Sequence, residues 1–173
     1  WVTRRRDGVF LWITVTLFCG ILVGLHLSFP NAGLFFPRWP AIWNCALLLL
    51  SYAVYRYARS HLALPFDRWQ WAVLGLLLAG IAWVFAGYRT DYLTTVRSVH
   101  VLTGLFCLMT LALYVQRLWS GPWSTRLHVP ILALAAGAAL SDYIYYFIDT
   151  EWAFIQHGGL ALFTVVLGVF ATL

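Results

Sequence analysis

The stretch RRRDGVFLWITVTLFCGILVGLHLSFP, residues 4–30, decides how the rest of the chain is read. Behind three arginines and an aspartate, the run from Gly8 to Phe29 holds no Asp, Glu, Lys or Arg and stops at Pro30. An α-helix crosses the apolar core of a bilayer with about 20 such residues. A basic cluster before an uncharged run is the pattern of a transmembrane helix held at one face by its arginines. The reading then extends outward, because the pattern recurs. Apolar stretches of similar kind run over Gly8–Phe29, Ala41–Tyr57, Trp69–Tyr88, Ser98–Leu118, Leu127–Ile148 and Ala153–Leu173.

Composition agrees with six spans. Of 173 residues, 62% are hydrophobic and 10% charged, with a mean hydropathy of +0.81. Soluble domains carry about 25% charged residues, so this chain has too few charges to cover a globule in water. Intrinsic disorder and a disulfide scaffold are excluded by ten tryptophans and only three cysteines. A membrane barrel would alternate apolar and polar residues over about ten at a time; these runs are continuously apolar. Prolines at 30, 37, 40, 65 and 122 fall between the runs, and Pro130 falls in the first turn of one. The expected fold is all-α: a polytopic transmembrane helix bundle of six spans, with residues 1–173 forming a single domain. The chain opens on Trp1, and its only methionine is Met109. It therefore reads as the membrane part of a longer protein, with an additional span upstream making seven.

The charges set an orientation. All eleven basic residues are arginines, and Arg4, Arg5, Arg6, Arg56, Arg59, Arg68, Arg117 and Arg126 fall on one side of the expected bundle. Arg38, Arg89 and Arg97 fall on the other. The positive-inside rule places the first group, and both ends of this chain, in the cytoplasm. The net charge of +5 then reflects arginines meeting anionic lipid, and no solvated basic face is left for nucleic acid.

Small residues such as Gly20 and Gly24, or Ala133, Gly137 and Ser141, read as helix-packing faces. Cys19, Cys45 and Cys107 lie within spans and read as small apolar residues. The polar residues of the outer half carry more information. Asp142 lies within the fifth stretch, where an ionisable group costs about 2.5–3.5 kcal/mol on insertion scales and needs a partner. His26, His100 and His157 all sit near outer helix ends, with Arg97, Tyr143 and Tyr146 close to them in sequence or level. Two readings follow: a water-accessible vestibule for a small ligand, a proton or an ion, or an interhelical hydrogen-bond network. No hydrolase, nucleotide or metalloprotease motif is present, and no cofactor is called for. A metal site would require three or four of His26, His100, His157 and Asp142 to converge without any compact ligand spacing, and haem would require two histidines across the bundle, where the inner-side His61 and His128 lie in or next to loops.

Several of these residues carry a resemblance. Arg4-Arg5-Arg6-Asp7-Gly8-Val9-Phe10-Leu11-Trp12 opens a span that closes with Leu25-His26-Leu27. Leu140-Ser141-Asp142-Tyr143 and Ile155-Gln156-His157-Gly158-Gly159-Leu160-Ala161-Leu162 follow later. This order resembles the membrane sensor region of bacterial seven-transmembrane receptors with intracellular signalling modules, particularly sensor histidine kinases. Where members often have His before the Asp of the penultimate helix, this chain has Ser141. The resemblance implies a sensory domain in the bacterial inner membrane, a cytoplasmic kinase module in the same chain, and a homodimer. Together with the outer-side polar residues read above, it makes His26, Arg97, His100, Asp142, Tyr143, Tyr146 and His157 the signal-sensing candidates, with no catalytic residue among residues 1–173. The competing expectation is a membrane enzyme or a haem- or metal-binding electron-transfer protein that uses the outer histidines.

Overall fold

A computed structural model describes residues 2–28, 38–117 and 126, with side chains from residue 8 to 25 and from 38 onward within those ranges. Among the described residues every regular element is helical. The helices are α1 (Val2–Ser28), α2 (Trp39–His61), α3 (Arg68–Gly87) and α4 (Tyr92–Gln116). Three of them, α1, α3 and α4, are long and apolar enough to cross a membrane.

Local chemistry sets the ends. Pro40 falls in the first turn of α2, where its missing N–H leaves no helical bond unmade. Asp67 caps α3 by accepting the Gln70 N–H at 3.3 Å, and Asp91 caps α4 by accepting the Thr94 N–H at 3.1 Å. The cap at Asp91 starts α4 at Tyr92, six residues before the expected start at Ser98. Sequence hydropathy missed this turn because Thr94, Thr95 and Arg97 dilute it, whereas a capped helix tolerates polar residues in its first turns. Similarly, α2 continues past Tyr57 to His61. It closes with Ala63 in the left-handed region at φ 53°, while the Leu62 and Leu64 N–H groups bond back to the carbonyls of Ala58 and Arg59.

The helix directions follow from side-chain contacts. Trp12 meets Tyr52 edge-on at 5.8 Å, and a Cβ on Gly8 would lie 3.6 Å from Ser60 Oγ, so α1 and α2 run antiparallel. Between α2 and α4 the ring pairs are Trp43 with His100, Tyr52 with Phe106 and His61 with Tyr114. Both numbers rise together, so these helices are parallel. Gly80 faces Leu102, and Gly87 faces Thr95, which makes α3 and α4 antiparallel. Arg4–Arg6, Arg56, Arg59, Arg68 and Arg117 therefore gather at one end of the bundle, and Arg38, Arg89 and Arg97 at the other.

Helix α2 is the centre. It packs on α1, α3 and α4. Fourteen of its 23 residues are buried, against six of 20 in α3 and eight of 25 in α4. This explains why α2 is less apolar than its neighbours. Its 23 residues give a length of about 35 Å, enough to cross a bilayer, but Asn44, Ser51, Tyr52, Tyr55 and Arg59 are covered by other helices rather than by lipid. The outer helices instead present Phe10, Phe18, Ile21, Trp83, Phe85 and Leu108 outward. Close approach occurs at Gly80, where a Cβ would press on Leu102 and Leu48, and at Gly87. The expected packing role of Gly20 has no such support: a Cβ there would meet nothing within 4 Å. The expected spans 127–148 and 153–173 lie outside the described residues.

Candidate functional site

The expected outer-side residues divide into those with described side chains and those without. Arg97 and His100 are described; His26 is described only as part of the α1 backbone. Asp142, Tyr143, Tyr146 and His157 lie outside the described residues.

His100 stands eight residues into α4, about 12 Å along the helix from Tyr92. It is deeper than its expected place near the helix start because α4 begins earlier. Its side chain is 7% exposed and turned toward α2. The ring lies 6.3 Å from the Trp43 ring at 53°, and Nδ1 is 2.9 Å from the Val96 carbonyl, one turn back on the same helix. Since a carbonyl only accepts, Nδ1 carries the proton in this contact.

Polar side chains that the sequence did not single out share this level. Asn44 is fully buried next to Trp43; its Nδ2 donates to the Pro40 carbonyl at 2.7 Å, and its Oδ1 has no hydrogen-bond partner among the described residues. Thr103, three residues beyond His100 and so on the same face, is 7% exposed, and its Oγ1 also has no partner among the described residues. Such atoms enclosed in protein carry a desolvation cost of about 1–3 kcal/mol each, and a site that bears it is either strained or built for a further group. Asn44 sits in an otherwise apolar run, and nothing in its neighbours by sequence separates it from an ordinary helix residue. Its position on the central helix is what encloses it.

Arg97 takes part in a second arrangement at the same end. The Asp91 carboxyl is held below the ordinary carboxylate range, first by the Thr94 side-chain hydroxyl, then by the Thr94 N–H and the positive charge of Arg97. Nearby, Arg89 Nε donates to the Tyr88 hydroxyl at 2.8 Å. This rim is charged and solvent-facing, in contrast to the enclosed His100 level below it. Among the described residues, no three His, Cys, Asp or Glu side chains come together as a metal site. The convergence that metal or haem binding would need involves residues outside the described set.

At the opposite end the structure builds a feature that the arginine count had treated only as a topological signal. Arg59 is 8% exposed. Its guanidinium donates to the Tyr55 hydroxyl at 3.3 Å, to the Pro65 carbonyl at 2.7 Å and to Asp67 Oδ2 at 2.8 Å. Gln70 Nε2 donates to the same Pro65 carbonyl at 3.2 Å. This network fixes the α2–α3 connection and does not face lipid.

Comparison with protein-family models, curated proteins and solved structures finds no match for this chain. Its chemistry is therefore argued from its own residues.

Proposed function

We propose that this chain is a membrane-embedded sensory domain, passing a signal from its arginine-poor side to a cytoplasmic output module of histidine-kinase type. The observation that carries this reading is the enclosed polar level at which His100 and Thr103 of α4 and Asn44 of α2 are buried, with Trp43 packed against His100. Polar groups buried at membrane depth need a structural or functional reason. A buried histidine packed against Trp43, the neighbour of Asn44 on α2, can take up a proton or a small polar ligand, and either event changes how α2 and α4 pack. The full arrangement is six spans, seven with one upstream, in the bacterial inner membrane with both ends of this chain cytoplasmic. Asp142, Tyr143, Tyr146, His157 and His26 complete the sensing surface, and the protein acts as a homodimer.

The mechanism is a population shift between two bundle packings. Because α2 and α4 are parallel and share three ring contacts along their length, a change at Trp43–His100 is transmitted through Tyr52–Phe106 to His61–Tyr114 at the arginine-rich end. The output module reads that end.

The test uses the full-length protein reconstituted in liposomes. His100→Gln and Asp142→Asn should each shift autophosphorylation of the output module while leaving membrane insertion unchanged. The reading frame beyond Leu173 should encode a dimerisation helix with a phosphoacceptor histidine and an ATP-binding module. Unchanged output in both variants, or an output module of another kind, would overturn the proposal.

A further inference from the structure

At the arginine-rich end, Arg56 stands apart from Arg59. Its guanidinium carbon lies 5.0 Å from the centre of the Trp12 ring on α1 and 5.2 Å from that of Phe66 in the α2–α3 connection. Its Nε is enclosed with no hydrogen-bond partner among the described residues, while the side chain as a whole is only half-buried. The nearest acid in sequence, Asp67, is already engaged by Arg59 and by the α3 cap, and among the described residues no carboxylate pairs with Arg56. The aromatic surroundings continue outward. Trp71 meets Phe66 edge-on at 5.5 Å, and Phe66, Trp69 and Trp71 are 54%, 76% and 65% exposed. Arg4–Arg6 occupy the α1 turn just before Gly8, which faces Ser60, one turn beyond Arg56.

We propose that Arg56, walled by Trp12 and Phe66, anchors a site for the phosphate headgroup of an anionic phospholipid. A guanidinium stacked by rings keeps its edge for bidentate contact with phosphate oxygens. Rings flanking a cation strengthen its hold where water is scarce. Exposed Trp71, in contact with Phe66, and Trp69 in the same turn of α3 are the residue types that sit at the headgroup level of a bilayer, where they cover the glycerol and upper acyl region. A free phosphate ion would use the arginine and have no use for that apolar shelf, so the lipid is the better fit. The proposal rests on the membrane-spanning reading and is independent of the sensory one.

The purified chain in nanodiscs of equal phosphatidylglycerol and phosphatidylcholine, analysed by native mass spectrometry, tests the site. The wild type should retain phosphatidylglycerol preferentially. One arginine near a membrane surface is worth a factor of about five in affinity for anionic lipid, and Arg56→Gln should lose about that factor. Trp71→Ala, an exposed change that leaves the core intact, should weaken retention more modestly. Arg117→Gln, at the same end on α4 but with no ring-walled site among the described residues, should weaken retention less than Arg56→Gln does. In the wild type alone, a photoreactive phosphatidylglycerol should label the segment 56–71, which keeps the test decisive should Arg56→Gln misfold. Unchanged retention in Arg56→Gln, labelling confined to other segments, or displacement of the lipid by inorganic phosphate at equal concentration would each overturn the proposal.

Discussion

Asp67 divides its carboxylate between two helices: Oδ2 accepts from Arg59 Nη2 at 2.8 Å, and Oδ1 accepts the Gln70 N–H at 3.3 Å. One side chain thus ties the end of α2 to the start of α3. The pair is asymmetric in environment, since Arg59 is almost enclosed while Asp67 is 42% exposed. Removal of Asp67 would leave the Arg59 charge with only the Tyr55 hydroxyl and the Pro65 carbonyl.

That geometry predicts a graded response. Asp67→Asn keeps the cap but loses the charge, and Asp67→Ala loses both. Thermal unfolding in detergent should therefore rank wild type above Asp67→Asn, and Asp67→Asn above Asp67→Ala. The Asp67 carboxyl is held below its ordinary range, chiefly by the Arg59 hydrogen bond. A lowered folded pKa stabilises above the unfolded value of about 3.9 and is lost as pH falls through the folded one. The advantage of wild type over Asp67→Asn should thus be full near neutrality and shrink below about pH 4. An advantage that grew in acid would contradict the pairing.

Gly87 ends α3 where the chain turns into α4, and a Cβ there would run into Thr95 Oγ1. Overpacking of this kind costs about 1–3 kcal/mol. Gly87→Ala should lower thermal stability by that amount. The double variant Gly87→Ala/Thr95→Ala should lose less stability than the two single losses added together, because it removes the oxygen responsible. A double-mutant cycle showing simple additivity would count against the contact.

Ala63 holds a left-handed conformation at φ 53° in the turn that closes α2. For a residue with a Cβ this region costs about 1–2 kcal/mol, and glycine avoids that at an entropic cost of about 0.5–1 kcal/mol. Ala63→Gly should therefore stabilise by up to about 1 kcal/mol, and Ala63→Val should destabilise. Equilibrium unfolding in mixed micelles would measure both.

Trp43 fills the space against His100 and is 5% exposed. Loss of a buried aromatic costs about 3–5 kcal/mol in water-soluble proteins. In a bilayer the lower end applies, because lipid already solvates apolar side chains and only packing is lost. Trp43→Ala should thus cost about 3 kcal/mol, whereas Trp83→Ala, at a 48% exposed position on α3, should cost far less. Equal effects at the two tryptophans would show that α2 is not the central helix.

Much of this fold could be read before any coordinates. The apolar runs placed the first four helices, and the prolines and charged loops separated them. Boundaries slipped where capping competed with hydropathy. Thr94, Thr95 and Arg97 looked like loop, yet the Asp91 cap gathers them into α4 and carries His100 deeper than expected. The site was legible in part. His100 stood out as an ionisable residue in an apolar run, but Asn44 and Thr103 did not, since uncharged polar residues are common within spans.

The stretch 4–30 by itself determined that the chain is built of long apolar helices with arginines gathered at their ends, because hydropathy and charge are local properties of sequence. Which helix stands at the centre, and which arginines are enclosed, was decided only by packing. Arg56 and Arg59 are three residues apart on one helix and look alike in sequence. The α2–α3 connection brings Asp67 and Pro65 to one and Phe66 to the other. That difference arises from contacts across chain segments, which no local pattern encodes.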